Sequence, residues 1–340
     1  MGRSLLKCLS KYSSQNSLRS LSLFLLEGGG IKKGKTPFRF ENMWLLLDGF
    51  KELVRAWWTG YSVVGSTSHC LAEKLKALKR DLRRWNKEVF GNVSAKKSEA
   101  LSRIQLWDSK ESLNPLSSEE AEARLGDLEE YKKYVLMEET FWRQKSRETW
   151  LKEGDKNTKF FHKMANARAR KNFLSKVNIN GNSLTSAEDI KDGVCRAYRT
   201  LLVETEDWRP RMGNLQFRVL GSERARSSEK EVFEALCSLF GDKAPDPDGF
   251  TMAFWQFSWD FTKVEILAFF DEFFCLGNFQ RSLNSTFLVL IPKKGGAEEL
   301  KDFRPISLVG SLYKLLAKVL ANRLKQAVRE VVSEYQHAFI

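Results

Sequence analysis

Two short runs near the end of this 340-residue chain put cationic side chains on stiff, extended backbone. Leu290-Ile291-Pro292-Lys293-Lys294 closes an apolar stretch with two lysines, and Phe303-Arg304-Pro305-Ile306-Ser307-Leu308 begins nine residues later. A residue before proline is pushed toward extended geometry, so Arg304 reaches in a restricted direction. An ammonium close to a bidentate guanidinium suits phosphate oxygens, either of a triphosphate or of a nucleic-acid backbone. The same residues also fit an exposed hairpin carrying ordinary surface lysines, and the pair alone does not separate the two readings.

A second concentration of charge lies at 141–176, where eleven Lys and Arg stand against three acids. Its cations include Lys152, Lys156, Lys159, Lys163, Arg168, Arg170 and Lys171, interleaved with Phe141, Trp142, Trp150, Phe160, Phe161 and Phe173. Such an imbalance exceeds what a solvated face requires and favours contact with phosphates, released counterions supplying the driving force. The aromatics could stack on unpaired bases, but large aromatics are mostly buried, so they read first as core. His162 reads as a packing histidine, and Asp155 or Asn157 as a helix cap.

The loop Lys243-Ala244-Pro245-Asp246-Pro247-Asp248-Gly249 is stiffened by two prolines and ends in a turn-forming Asp-Gly. It can present Lys243 to a polyanion, whereas Asp246 and Asp248 lack the third anchor a Mg²⁺ site needs. In the last apolar-periodic segment, Leu312, Leu315, Leu316, Val319, Leu320, Leu324 and Val328 define one helical face. Lys314, Lys318, Lys325 and Arg329 fall on the other, a second basic surface.

The elements that must carry these residues follow from periodicity. Phe38 and Phe40 alternate as in a strand. Leu71, Leu75, Leu78, Leu82 and Trp85 mark a helix from Ser68 to Trp85, a second runs from Ser94 to about Ser112, and a third from Ser118 to about Trp150. Asn180-Gly181 is the turn of a small β-hairpin between 173 and 185. Helices follow at 187–202, 229–240, 251–276 and 311–332, with a strand at Phe287–Ile291. The fold expected is mostly α with small β elements: a long helical hairpin or bundle, then an incomplete α+β region.

Composition narrows the partners. Lys+Arg total 56 against 43 Asp+Glu, a net charge of +13 that favours RNA or DNA, and the 10 Trp imply folded cores. Five dispersed cysteines and three histidines offer no zinc spacing, and read as reduced thiols of an intracellular protein, nuclear or cytoplasmic. No apolar run is long enough to span a bilayer, so no membrane partner is expected. The first 26 residues lack acids and hold seven serines, a composition like that of a transit peptide.

Taken in order, KAPDPDG (243–249), LIPKK (290–294), FRPISL (303–308), YKLLAK (313–318), LANRL (320–324) and EYQHAF (334–339) resemble the opening of a reverse transcriptase domain. The similarity is to the non-LTR, LINE-type retrotransposon polyproteins of plants. GDKNTKFFH (154–162) resembles the connector between endonuclease and polymerase in those polyproteins, and PFRFENMW (37–44) the tail of their endonuclease. The resemblance divides the chain into a leader and basic loop (1–36), an endonuclease remnant (37–67), a helical connector with a small β-hairpin (68–205), a linker (206–228) and the start of the polymerase domain (229–340).

What the resemblance implies is RNA-directed DNA synthesis with two Mg²⁺ ions in the complete family enzyme. Lys293 and Arg304 match positions expected to contact the incoming triphosphate, and the Lys243–Gly249 loop is expected in the fingers. The family has Gly where this chain has Asp246. Its metal-binding aspartates, including Tyr-x-Asp-Asp, are absent from this sequence, so the expectation is a catalytically inactive fragment without bound metal that retains nucleic-acid binding. Two other readings stay open: a basic binding protein without enzymatic activity, or an unstable product whose strand Phe287–Ile291 lacks partners and is left as an exposed edge.

Overall fold

The structure is a computed structural model that describes residues 22–25, 37–146, 160–161, 163–164, 166–167, 174–202, 227–241 and 247–331. Helices dominate, with small β elements beside them. The first strand, β1, is Ser22–Leu25. Residues 37–40 lie outside any strand. A single backbone bond, from the Phe40 N–H to the Gly249 carbonyl (2.8 Å), ties them to the turn after the proline-rich loop.

Helix α1 (Phe50–Gly60) buries Phe50, Val54 and Trp58, one residue per turn. Helix α2 (Thr67–Trp85) begins where the Ser66 side chain accepts from the His69 N–H, and it buries Leu71, Leu75, Leu78 and Leu82. Gly91, at φ 75°, ends the turn that follows α2, and Asn92 caps α3 (Val93–Glu111). Helix α4 (Ser118–Ser146) returns antiparallel to it, because residues early in α3 pair with residues late in α4. Lys97 bonds Glu138, Arg103 bonds Asp127 (2.6 Å) and Glu130, and Lys110 bonds Glu120. The distal part of this arm buries little apolar surface, and Leu106, Leu113 and Leu125 are exposed there.

Strands β2 (Val177–Ile179) and β3 (Asn182–Leu184) form the expected hairpin. Asn180 and Gly181 at φ 51° and 82° give it the two left-handed residues that a type I′ turn requires. Helices α5 (Ala187–Leu202), α6 (Glu229–Cys237) and α7 (Met252–Leu276) follow. Strands β4 (Ser285–Pro292) and β5 (Phe303–Val309) lead into α8 (Ser311–Val331). Among the described cysteines, Cys70, Cys237 and Cys275 are free thiols.

The larger core gathers α1, α2, α6, α7 and α8 around an aromatic cluster. Phe40 packs against Phe254 with ring centroids 5.0 Å apart, and Phe250 against Phe254 at 4.6 Å. The buried Ser68 donates both its N–H and its hydroxyl to Glu272 (2.7 and 2.6 Å), fastening the start of α2 to the end of α7. A second, smaller core forms where Leu288, Leu290 and Phe303 meet Val177, Ile190 and Val194. It binds one face of the β4–β5 hairpin to the β2–β3 hairpin and α5.

Three expectations change. First, Phe38 and Phe40, read as a strand, lie outside any sheet. Strand β4 is not an edge: it lies in the middle of a β1-β4-β5 sheet, parallel to β1 and antiparallel to β5, so both of its sides are hydrogen-bonded. Leu324, expected on the buried face of the last helix, is 63% exposed. At that level α8 is held to α6 by a bidentate pair, Arg323 donating to both Glu231 oxygens (2.6 and 2.7 Å), rather than by an apolar seam.

Candidate phosphate-binding surface

The hairpin β4–β5 sorts its side chains by alternation. Thr286, Leu288 and Leu290 are buried, while Phe287, Val289 and Ile291 are only half-buried. Arg304 stands directly across from Ile291 in the register and so shares the half-buried face. Pairing continues one step past Pro292, the Lys293 N–H donating to the Asp302 carbonyl at 2.8 Å. Lys293 is therefore held two residues from Ile291, at the same end of the hairpin as Arg304.

The cations here differ in state. The Lys293 ammonium donates to the Lys301 carbonyl (2.7 Å), which positions it without cancelling its charge. Lys294 forms an ion pair with Asp302 at 3.0 Å, and its hydrogen bond holds the Asp302 carboxyl below the usual range. Arg304 is exposed and has no ion pair among the described residues. In the connection between the two strands, Glu298 pairs with Lys176 at 2.8 Å. The arrangement leaves two positive groups, Lys293 and Arg304, available to an anion at the tip of a two-sided sheet.

A second cationic place lies at the other end of β5. Lys314 and Lys318, one turn apart and half-buried, line a cavity of about 400 Å³. Phe250, Met252 and Val309 form part of its wall, with Phe240 and Tyr313 beside them.

The turn beside this cavity is pinned by Asp248. Its Oδ1 accepts from the Phe250 N–H (2.9 Å), and its Oδ2 accepts from both the N–H (2.8 Å) and the hydroxyl (2.5 Å) of Ser311. The Ser311 hydroxyl in turn accepts from the Trp255 indole N–H at 2.8 Å. Asp248 thus serves the first residue of α8 from 63 residues away. Lys79 donates to the Pro247 carbonyl (3.3 Å); burial lowers its pKa, an effect the attraction of Asp248 partly opposes.

Of the other basic residues singled out in the sequence, Lys163 is exposed. Lys152, Lys156, Lys159, Arg168, Arg170, Lys171 and Lys243 lie outside the described residues, as do His162 and Asp155. The two ends of the loop that holds Lys243, Phe240 and Phe250, both line the cavity. Phe161 is 1% exposed, a core residue as its type predicts. Among the described residues, no group of three or more His, Cys, Asp or Glu is arranged to hold a metal ion. None of the described helices is long and apolar enough to cross a membrane.

Comparison with known proteins adds one relationship. No family model matches the chain. Over 310 residues it is 26% identical to the transposon TX1 uncharacterized 149 kDa protein of Xenopus laevis. The similar region takes in 87% of this chain but 23% of that protein, so the chain spans less than a quarter of its relative's length. The chain is therefore similar to a transposon protein along most of its length.

Sequence reasoning located the hairpin cations and the two lysines of α8 but did not join the latter to a cavity. It also read Asp248 only as a turn residue. An Asp before Gly signals a turn wherever it occurs, and nothing in local spacing names Ser311 as its partner.

Proposed function

We propose that the chain is a portion of a LINE-type, non-LTR retrotransposon reverse transcriptase of plant type, comprising the helical connector and the start of the polymerase domain. On this reading it binds RNA or DNA, with Lys293 and Arg304 on phosphate oxygens, and does not polymerise by itself. The observation that carries the reading is the shared position of Lys293 and Arg304 at one end of the β4–β5 hairpin. The similarity to a transposon protein and the net charge of +13 support it. Catalysis is excluded from the proposal because phosphoryl transfer in this family needs Mg²⁺ held by aspartates, and the sequence contains no Tyr-x-Asp-Asp.

Fluorescence anisotropy with a labelled single strand, titrated at several salt concentrations, tests this. Each phosphate contact on a single strand adds about 0.7 to the slope of log affinity against log salt, so the double variant Lys293→Ala/Arg304→Ala is expected to flatten it by about 1.4. An unchanged slope refutes the assignment of these two residues. Primer extension with Mg²⁺ and deoxynucleoside triphosphates is expected to give no product, and template-dependent incorporation would refute the inactive reading.

A further inference from the structure

Helix α2 has two faces of opposite character. One buries Leu71, Leu75, Leu78 and Leu82. The other carries Lys76, Arg80, Arg83 and Arg84, continued by Lys87 in the turn that follows, and all five are exposed. At about 3.6 residues per turn these positions stack on one side of the helix, and at about 1.5 Å per residue the row is roughly 16 Å long. Among the described residues, two carboxylates reach it. Glu73 pairs with Lys76 at 2.6 Å, and the buried Asp81 lies 3.8 Å from Arg80 and 3.2 Å from Arg84. Asp81 is itself held by the Tyr61 hydroxyl (2.7 Å). The Arg83 guanidinium stands over the Phe38 ring, 5.5 Å from its centroid, and neither Arg83 nor Lys87 has an ion pair among the described residues.

Such a row costs the helix stability, since like charges three and four residues apart repel. The helix dipole favours cations in the last turn, which accounts for Arg83 and Arg84 but not for Lys76 and Arg80 before them. On the α3–α4 arm the same chain settles its cations differently, with Arg103 on Asp127 (2.6 Å) and Arg124 on Asp108 (2.6 Å) and Glu111 (3.1 Å). We propose that the exposed face of α2 is a phosphate-contact surface for double-helical nucleic acid. It is separate from the β4–β5 hairpin and rests with it on the reading that the chain binds RNA or DNA. A duplex carries one charge about every 1.7 Å of its axis, so a straight row of cations meets more phosphates there than on a single strand. Single strands are gripped by stacking on aromatic faces, and the row presents no exposed aromatic side chain. A helix lying on an anionic membrane inserts large apolar side chains beside its cations, whereas the apolar face of α2 is spent on the core. The guanidiniums are positioned in advance, with Asp81 between Arg80 and Arg84 and Phe38 beneath Arg83.

The test titrates the full chain against a short labelled DNA duplex and the RNA–DNA and RNA duplexes of the same sequence, by anisotropy at several salt concentrations. Arg83→Gln/Lys87→Gln removes the two cations without ion pairs and keeps residues that favour helices. Each duplex phosphate contact adds about 0.9 to the slope of log affinity against log salt, so this pair is expected to flatten it by about 1.8. The duplex that shows the largest loss identifies the natural one. Because Arg83 also touches Phe38, Lys87→Gln alone is the variant that disturbs no packing, with an expected flattening of about 0.9. Lys132→Gln/Lys191→Gln makes the same change of net charge at exposed lysines of α4 and α5, and is expected to leave the slope as in wild type.

A duplex slope that is unchanged in both α2 variants overturns the assignment. Equal flattening by Lys132→Gln/Lys191→Gln overturns it too, since net charge alone then accounts for binding. So does an α2 variant that weakens binding to phosphatidylserine vesicles and leaves the duplexes untouched. In each of these cases the hairpin is judged separately, by the response of the single strand to Lys293→Ala/Arg304→Ala. If neither duplex nor single strand binds at any salt concentration, the nucleic-acid reading fails and the α2 assignment fails with it.

Discussion

Asp248→Ala tests how the fold holds its candidate surface together. Three donors converge on that carboxylate, the N–H of Phe250 and the N–H and hydroxyl of Ser311. Both residues are 0% exposed, so water cannot replace the lost acceptor without local opening. At about 1–2 kcal/mol for each of three orphaned donors, the loss is about 3–6 kcal/mol, a large share of the ~5–15 kcal/mol that stabilises a typical domain. Ser311→Ala is a gentler change to the same network, removing one of the three bonds to Asp248. It keeps the backbone N–H, deletes the hydroxyl, and leaves the Trp255 indole N–H unpaired, at a cost of about 1–3 kcal/mol. Because both changes break one network, the double variant should lose about 1–2 kcal/mol less than the two single losses together. Urea unfolding reads this directly, as a lower midpoint at constant slope. Should Asp248→Ala stay within about 0.5 kcal/mol of wild type, the turn is not fastened to α8 in solution, and the preformed floor of the cavity goes with it.

Two other perturbations probe neighbouring features. Gly249 sits at φ 79°, and a Cβ there would lie 2.6 Å from the Phe38 carbonyl oxygen, so Gly249→Ala should cost about 2 kcal/mol or more and lower the melting temperature. The α3–α4 arm should be the first part to open in acid. Asp127 is held below the usual carboxyl range by hydrogen bonds from Trp107 and Arg103, and Glu120 by those from Lys110 and Ser117. For Glu138 burial acts upward, but bonds from Lys97 and Ser94 bring its pKa down. Depressed carboxyl values mean stability that is present above the unfolded pKa of about 4 and lost as pH falls through the folded value. Hydrogen exchange should show arm protection falling below about pH 4 while the amides of α7 stay protected. Simultaneous loss in both would refute a separate arm. Alkali works from the other side: burial and the bond to Glu130 push Tyr134 up to about 12, so its contribution persists below pH ~10 and is lost above about 12.

What was legible in the sequence was local. The stripe Leu71–Leu75–Leu78–Leu82 specified α2, and Asn180-Gly181 specified the only two-residue turn type compatible with two left-handed residues. Helix α1 carries an equally regular stripe, Phe50, Val54 and Trp58, but the adjacent apolar run Trp44–Leu47 obscures its start. The position of β4 inside a sheet was not legible, because its parallel partner β1 lies some 260 residues earlier and no periodic signal spans that interval. Cations were found by type and spacing. Their states were not: Lys294 is paired with Asp302, while Lys293 donates to a backbone carbonyl. The cavity escaped for the same reason as the Asp248–Ser311 bond, since its wall is assembled from the segment after α6, the start of α7, β5 and α8.

The two cationic places are linked by a single strand, and that linkage sets what each can report. Arg304 lies near the start of β5 and Val309 ends it, so at about 3.4 Å per residue the strand separates the hairpin tip from the cavity by roughly 17 Å. Gly310 then passes within 3.0 Å of the Leu283 carbonyl, measured to where a Cβ would stand, and hands the chain directly to α8. A triphosphate at the tip is too short to reach Lys314 and Lys318, whereas phosphates spaced about 3.4 Å along a helical strand cover the distance in about five steps. On the proposed reading, a mononucleotide therefore interrogates Lys293 and Arg304 alone. Sites this far apart, with no partner in common, contribute independently. If the hairpin holds phosphate as proposed, Lys293→Ala/Arg304→Ala should lower triphosphate affinity while Lys318→Gln leaves it unchanged, and equal losses in both variants would refute the separation.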